Sequence, residues 1–310
     1  MRTIAVTNHK GGSAKTTTAV NLAAALGEDG RRVLLIDMDP QGSASSWLGI
    51  NNPDVGVADA IRGRASLAEL VHETTAPGVQ LVASSTALVA TDWQDETNIA
   101  LGFMDAMERL PKVWDVVLVD CPPSLGYLAI APLAACDEAL VPIEAHVLAM
   151  AGLTSLIETM TRIRGRLNSH LRLAGAVACR VNHTAHSRAV VDRLQYRLGD
   201  SFMRTQVRES TRLAEAPSFR LPITLYAPES SGAEDYRSLA LELMGTSHRR
   251  FYSAAREAVP VMVPLAESAT ADSDSHLPRW MRPLSARLRG ESPRTKEGVI
   301  DEEGSTADIR

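Results

Sequence analysis

Two lysines, two glycines and several hydroxyl side chains crowd into one short segment near the start of the chain. In phosphate-binding loops of the pattern G-x-x-x-x-G-K-[ST], backbone N–H groups cradle the phosphates, the lysine reaches the outer phosphates and the hydroxyl holds Mg²⁺. Lys15 and Thr16 occupy those last two positions, although His9 and Ala14 replace the glycines of the pattern. The segment therefore predicts a nucleotide-phosphate site formed by Gly11, Gly12, Ser13, Ala14, Lys15, Thr16 and Thr17.

The flanking sequence contains the elements that must position such a loop. Residues 4–7 form a short apolar run typical of a strand, and residues 19–26 have the composition of a helix. The N-terminus of a helix adds partial positive charge to the loop before it. Lys10 is one of only four lysines in the chain, which makes it a further candidate in this loop. The alternative, a glycine-rich turn with a solvated lysine, does not explain why strand, loop and helix agree.

Aspartates end two other apolar runs. Residues 33–36 read as a buried parallel strand followed by Asp37 and Asp39, and residues 116–119 form a second run that ends at Asp120. Ligands of open α/β sheets bind at the carboxyl ends of the strands. In P-loop ATPases an aspartate at such a strand tip contacts Mg²⁺ directly or through water, so Asp120 is predicted to serve the metal. An ordinary polar strand end is the alternative at both places.

Three strings together resemble one family. Lys-Gly-Gly-x-x-Lys-Thr-Thr-Thr, from Lys10 to Thr18, looks like the deviant phosphate loop of the ParA/MinD ATPases, in particular of their Soj-like members. Asp-x-Asp-Pro-Gln-Gly at residues 37–42 and Arg-Leu-Ala-Glu-Ala-Pro-Ser at residues 212–218 are similar to two more of the family's signatures. The resemblance extends over residues 1–245.

The resemblance implies ATP and Mg²⁺ as ligands and gives roles to several residues. Lys10 would cross a dimer interface to the partner's nucleotide and act in catalysis together with Lys15. Asp39 would orient or activate the water that attacks the γ-phosphate, while Asp37 would support the Mg²⁺ shell beside Thr16. Pro122-Pro123-Ser124 resembles the family's second switch.

The resemblance also implies base contacts, and one residue of the loop departs from the family. The strand end at Asn182 and the loop at Pro217 flank the adenine in the family. Ala14 stands at a common glycine position. We expect this change to be mild, because the loop accepts a methyl group where φ is negative.

Five arginines follow one another in the next part of the chain. In the DNA-binding branch of the family, arginines in this region bind DNA without sequence preference, by neutralising phosphates. The corresponding residues here are Arg193, Arg197, Arg204, Arg208 and Arg212. Glu209 stands where the family usually has the arginine of a Pro-Arg-Asn string, which weakens the transfer to single residues. Ordinary arginines on a solvated helix face are the alternative.

Composition bounds the fold class. The chain has 310 residues, of which 45% are hydrophobic but only 4% aromatic, which suits aliphatic helices packed on a parallel sheet. We expect an α/β fold, a doubly wound, mostly parallel sheet with helices on both faces, as in P-loop NTPases. Further strands are predicted at 79–83, 140–143 and 173–181, and helices at 43–48, 57–61, 67–71, 99–110, 148–167, 188–198 and 233–244.

Charge and metal-binding residues exclude several classes. A net charge of −5 excludes a uniformly basic nucleic-acid binder but permits a local basic patch. Cys121, Cys136 and Cys179 are far apart, which argues against a zinc site or a disulfide framework and for a reducing cytoplasm. His183 and His186 lack a third ligand nearby, so we interpret them as loop histidines rather than a metal site.

The domain organisation follows from a change in composition. We expect one ATPase domain at 1–245 and a disordered tail at 246–310, rich in Ser, Pro, Glu and Arg. Residues 277–289 form a basic, apolar island, which reads as a docking motif for a partner or as a plain linker. No apolar run reaches the length of a membrane span, and no signal peptide is apparent.

The predicted function is that of a ParA-type ATPase, slow and stimulated by a partner. It would dimerise with ATP, bind nucleoid DNA without sequence choice, and segregate or position a plasmid, a chromosome origin region or a protein organelle with a ParB-like adaptor. The alternative is a MinD-like ATPase that cycles on and off a membrane. The acidic residues 301–310 lack the amphipathic stripe that this alternative needs. A metabolic or metal-delivering relative of the same fold is a third possibility.

Overall fold

The computed structural model describes residues 1–51, 53–88, 97–123, 126–145 and 149–245, which fold around one eight-stranded sheet. The strands are β1 (Arg2–Val6), β2 (Val33–Asp37), β3 (Val71–Glu73), β4 (Val79–Val82), β5 (Val116–Asp120), β6 (Glu138–Glu144), β7 (Arg172–Val181) and β8 (Phe202–Arg208). Their order across the sheet is β3-β4-β2-β5-β1-β6-β7-β8. All neighbours are parallel except β3 and β4.

Helices connect the parallel strands, as parallel pairing requires. They are α1 (Lys15–Glu28), α2 (Ser43–Trp47), α3 (Val57–Ile61), α4 (Thr97–Glu108), α5 (Tyr127–Ala135), α6 (Ala149–Arg166), α7 (Ala185–Leu198), α8 (Thr211–Glu215), α9 (Ile223–Tyr226) and α10 (Ser231–Gly245). Short 3₁₀ turns lie at Leu67–Leu70, Thr86–Leu88, Gly199–Ser201 and Ala216–Phe219.

Both faces of the sheet are buried, which explains why its central strands read as continuous apolar runs. On β2, Val33 and Leu35 join a core with α1 and α10. Leu34 and Ile36 alternate with them and are equally inaccessible to solvent. Alternate residues of a strand point to opposite faces, so helices cover the sheet on both sides. The doubly wound α/β fold that the sequence predicted is confirmed.

Three features differ from the sequence-based expectations. Residues 67–71 were expected to be one short helix, but the turn ends at Leu70 and Val71 opens the antiparallel edge strand β3. The helix α5 was not predicted, because its run is apolar on all sides and contains Pro132, so it shows no amphipathic period. The edge strand β8 was not predicted either, since Arg204, Thr205 and Gln206 interrupt its apolar pattern.

Several expectations lie outside the described residues. They are Ser124 of the second switch, the tail at 246–310 and its island at 277–289. Among the helices that the structure describes, none is both long and apolar enough to cross a bilayer.

The sheet brings several strand ends to one edge. β1 lies between β5 and β6, and the loop that follows β1 leads directly into α1. Val6 is in register with Asp120, which is in register with Asp37 on β2. Because these strands are parallel, the loop and the aspartates meet at the carboxyl edge, where such folds bind ligands.

Candidate functional site

The loop between β1 and α1 has alternating backbone conformations. Gly12 (φ +75°) and Ala14 (φ +65°) are both left-handed, and α1 begins at Lys15 immediately afterwards. Successive residues of alternating hand form a concave nest of N–H groups that binds anions, and the α1 N-terminus adds its dipole. The condition for a mild change at Ala14, a negative φ, is not met. Ala14 therefore has a left-handed backbone conformation that glycine adopts without strain but that is unfavourable for a residue with a β-carbon.

Lys15 lies buried beneath this nest. Its ammonium donates a hydrogen bond to the carbonyl oxygen of Lys10 at 3.1 Å, and the same oxygen accepts the Ser13 hydroxyl at 2.9 Å. Burial lowers the pKa of Lys15, and the nearby carboxylates of Asp120 and Asp39 offset part of that effect. A buried cation with one neutral acceptor is suited to receive phosphate oxygens.

Asp120 is a buried carboxylate whose charge is compensated only in part, by Thr16 and Lys15. It is fully inaccessible to solvent, and neither oxygen has a well-formed hydrogen bond among the described residues. Burial raises its pKa well above the usual range and Asp37 raises it further, while the nearby Thr16 hydroxyl lowers it only in part. An orphaned carboxylate beside Thr16 fits a divalent cation, because oxygen donors are what Mg²⁺ prefers.

Asp37 is buried too, but its carboxylate is occupied. One oxygen accepts the backbone N–H and hydroxyl of Ser45 at 2.8 and 2.7 Å, and the other accepts the N–H of Asp39 at 3.1 Å. Burial raises the pKa of Asp37 to about 6, against the lowering effect of these hydrogen bonds. The side chain thus fixes α2 and the turn that carries Asp39, and its support of a metal stays a prediction.

Asp39 is held at the edge of the phosphate loop. Its carboxylate accepts the N–H of Gln41 at 3.0 Å, and its carbonyl oxygen accepts the hydroxyl of Ser84 at 2.7 Å. These bonds fix a carboxylate in the wall of the same cavity that Lys15 lines. The position suits a group that orients a water molecule.

One cavity of about 530 Å³ joins the loop to the ends of β7 and β8. Its lining includes residues 12–17 and Asp39 together with Val207, Glu209 and Leu213.

The two predicted base contacts lie at the rim of this region. Asn182 is exposed and donates from its amide to Glu209 at 3.3 Å, so Glu209 connects it to the cavity. Pro217 lines a neighbouring depression of about 550 Å³, together with Thr16 and Trp47. The contacts of both residues with a base remain predictions.

Lys10 does not point across an interface in the single protomer. Its ammonium lies 3.3 Å from a carboxylate oxygen of Glu144, at the end of β6. The second oxygen of Glu144 accepts from Arg180, at 3.2 Å, and Arg180 also lines the cavity. The sequence reasoning missed both residues. Glu144 could have been found, because it follows an apolar run as Asp37 and Asp120 do, whereas no pattern marks Arg180.

The five arginines predicted to bind DNA do not form one group. Arg208 bonds to the buried carboxylate of Asp235 at 2.6 Å and to Glu234 at 2.7 Å, so its guanidinium serves the fold. Arg212 pairs with Glu215 at 3.0 Å.

The other three arginines are also exposed. Arg193 and Arg197 lie on the exposed face of α7, and Arg204 is exposed on β8. Arg197 makes one hydrogen bond, to the Thr154 hydroxyl at 3.2 Å. Of the five, Arg208 is the one whose guanidinium is paired with a buried carboxylate.

The cysteines of this region are packing groups rather than reactive ones. All three cysteines are buried and unpaired, and burial raises the pKa of the Cys121 thiol well above its usual range. A protonated, buried thiol is a packing group. Over the described ranges no three His, Cys, Asp or Glu side chains converge on a metal-binding cluster. His183 lies in the loop before α7, but the interpretation of His186 as a loop residue is wrong, because it lies in the first turn of that helix.

Proteins of known families align with most of this chain. Residues 1–173 match a family described as an AAA domain. The sporulation initiation inhibitor protein Soj of Bacillus subtilis is 36% identical over 245 residues, which cover 77% of this chain and 97% of Soj. The chromosome partitioning protein ParA of Myxococcus xanthus is 36% identical over 248 residues, 78% of this chain and 88% of that protein.

A solved structure supports the same architecture. Cobyrinic acid a,c-diamide synthase from Mycobacterium smegmatis, with bound ADP and magnesium, is 30% identical and superimposes with a TM-score of 0.69. The match covers 81% of this chain and 98% of that structure.

Proposed function

The chain belongs to the Soj/ParA family of P-loop ATPases, and from this premise we propose that it is a DNA-bound positioning ATPase. It would bind ATP, close into a dimer, bind DNA without sequence preference, and release DNA after hydrolysis. The observation that carries the proposal is one cavity lined by the N–H nest, buried Lys15 and Asp39, with the buried carboxylate of Asp120 close to Lys15 and Thr16.

The site's own residues fit ATP and Mg²⁺, the ligands implied by the family. The nest at residues 11–14 would bind phosphate oxygens, and Lys15 would neutralise the outer phosphates. Thr16 and Asp120 would hold the metal, with Asp37 keeping the strand end in place. When bound, Mg²⁺ supplies charge neutralisation for the phosphates. The ADP and magnesium in the M. smegmatis structure support this assignment.

Hydrolysis needs a water molecule aligned with the γ-phosphate and charge stabilisation of the transition state. Asp39 would align that water, because its carboxylate is fixed in the cavity wall. Lys10 would contribute the stabilising charge to the partner's site, as an arginine finger does elsewhere. Catalysis would then depend on dimer closure, which explains how an adaptor protein stimulates a slow enzyme.

The DNA surface would be built mainly from α7. Arg193 and Arg197 are exposed and one helical turn apart, and two protomers would double this patch. Several cations on one face release counterions from DNA whatever its sequence. A ParB-like adaptor would hold the cargo, which is a plasmid, a chromosome region or a protein assembly at the nucleoid.

The test is binding of the full chain to a random-sequence duplex, with ATP-Mg²⁺, with ADP-Mg²⁺ and without nucleotide, over a series of salt concentrations. We expect binding only with ATP, falling steeply as salt rises. Lys15→Ala should abolish nucleotide and DNA binding, whereas Asp39→Ala should retain both and hydrolyse poorly. DNA binding that does not depend on the nucleotide, or no DNA binding in any nucleotide state, would overturn the proposal. Binding to anionic vesicles instead would favour the membrane-cycling alternative.

A further inference from the structure

Three charged side chains form a cluster beside the phosphate loop, which we term the ion triad: Lys10, Glu144 and Arg180. Each oxygen of the Glu144 carboxylate binds one cation, at 3.3 Å for Lys10 and 3.2 Å for Arg180. The exposed fractions of the side chains are 25% for Glu144, 40% for Lys10 and 58% for Arg180. The carboxylate is thus the least solvated member and depends most on its partners.

Strand order explains why the three side chains meet. β1, β6 and β7 are adjacent and parallel, so the loop after β1, the end of β6 and the end of β7 lie in a row. Arg180 has left-handed backbone (φ +54°), which is unfavourable for a residue with a β-carbon. Such conformations persist where the surroundings fix them, and they concentrate at functional positions. The strained residue, Arg180, is thus also the one that contacts Glu144.

We propose that Glu144 retains Lys10 within its own protomer, and that Arg180 allows Lys10 to leave. This inference rests on the proposed function, in which Lys10 acts in the partner's site. While Lys10 is bound to Glu144, it cannot reach across the interface. When Lys10 departs, Glu144 keeps Arg180 as a counter-ion, so the half-buried carboxylate is not left without a cation.

Glu144 and Arg180 have opposite effects on how strongly Lys10 is held in its own protomer. Glu144 lowers the free energy of the open protomer, because it stabilises Lys10 in the position seen here. Arg180 binds the other oxygen of the same carboxylate, so it neutralises part of the negative charge, repels Lys10 and weakens that hold. A half-exposed ion pair contributes little and is screened by salt. The hold is therefore readily reversed by a nucleotide carrying several negative charges.

The first experiment compares Glu144→Gln and Arg180→Gln for ATP-dependent dimerisation, measured by analytical ultracentrifugation at saturating ATP-Mg²⁺. We expect Glu144→Gln to raise the association constant roughly 2- to 10-fold and Arg180→Gln to lower it by a similar factor. ATP affinity of the protomer is measured separately, because Arg180 also lines the cavity. Changes in the same direction, or no change with either variant, would overturn the proposal.

The matched control lies on the same strand. Glu138, at the opposite end of β6, also bridges two cations, Arg2 at 2.7 Å and Arg172 at 3.2 Å. Glu138→Gln should alter the melting temperature and leave the association constant of the folded protein unchanged. Glu28→Gln, which removes an exposed pair with Arg237, controls for the loss of one negative charge.

A second measurement observes the pair directly and needs no dimer. The chain has four lysines, so ¹³Cε-lysine labelling gives few NMR signals, and Lys10→Arg identifies the one from Lys10. Without nucleotide, the Lys10 signal should shift and sharpen in Glu144→Gln, but not in Glu138→Gln. An unchanged Lys10 signal would exclude the Glu144 contact. Normal dimerisation and turnover in Lys10→Ala would instead disprove the proposed role of Lys10.

Discussion

Ala14 puts a β-carbon where the loop needs a left-handed residue. Relief of that conformation is worth about 1–2 kcal/mol, and the greater backbone entropy of glycine in the unfolded chain offsets part of it. We therefore predict that Ala14→Gly stabilises the protein by about 0.5–1 kcal/mol in urea unfolding without nucleotide. Gly12→Ala, at the other left-handed position of the loop (φ +75°), should destabilise it. A loss of stability in Ala14→Gly would show that the methyl group makes a contact that outweighs the strain.

Asp120 links stability to pH with a definite sign. Because its native pKa is raised above the unfolded value near 3.8, ionisation destabilises the folded state as pH rises through the interval between the two values. Asparagine cannot ionise. We therefore predict that Asp120→Asn is more stable than the wild type without metal or nucleotide. The advantage should grow as pH rises above the unfolded value near 3.8.

Asp115 provides the control for that prediction, because its pKa is shifted in the opposite direction. Arg32 donates to Asp115 and lowers the pKa of that exposed carboxyl to about 2, so its contribution is present above pH 4 and is lost as pH falls. Asp115→Asn should accordingly reduce stability at neutral pH. With EDTA present, urea titrations at several pH values compare both variants with the wild type. An advantage of Asp120→Asn that does not depend on pH would mean that this carboxyl is not ionised on unfolding.

At the scale of elements, α7 and β8 separate two uses of arginine. We predict that Arg193→Ala weakens DNA binding and reduces the slope of log K against log salt by about one. Arg208→Ala should leave that slope unchanged. It should instead cost about 1–3 kcal/mol of stability, because it leaves the buried Asp235 without its cation. Salt titrations of DNA binding measure the first effect, and urea unfolding measures the second. A reduced slope in folded Arg208→Ala would show that Arg208 contacts DNA.

The sequence was informative where a single element determines the outcome. The strands ending at Asp37 and Asp120 were predictable, because burial on both faces leaves continuous apolar runs. The edge strand β8 was not, since partial exposure mixes polar residues into it. Pairings such as Lys10 with Glu144 join residues 134 positions apart, so they depend on strand order, which local patterns do not specify.

At the scale of the whole molecule, the described fold closes with α10. Tyr236, Leu239 and Leu243 are inaccessible to solvent in the core that α10 shares with α1, and Arg2 donates to the carbonyl oxygen of Leu243 at 2.8 Å. We predict that a chain ending at Gly245 keeps its melting temperature within about 2 °C and its basal ATPase rate. A chain ending at Ser230 should fail to fold. Thermal denaturation and steady-state turnover test both predictions. If the chain ending at Gly245 is unfolded, residues 246–310 are needed for the folded structure.

The position of β1 has a consequence for biosynthesis. Among the described strands it leaves the ribosome first, yet its partners β5 and β6 begin at residues 116 and 138. The middle of the sheet therefore stays unpaired until nearly half of the chain has been made. Pairing between residues so distant in sequence is slow, and an apolar strand exposed meanwhile is prone to aggregate. We expect a nascent chain arrested before residue 138 to depend on chaperones and to resist proteases only after β6 has emerged.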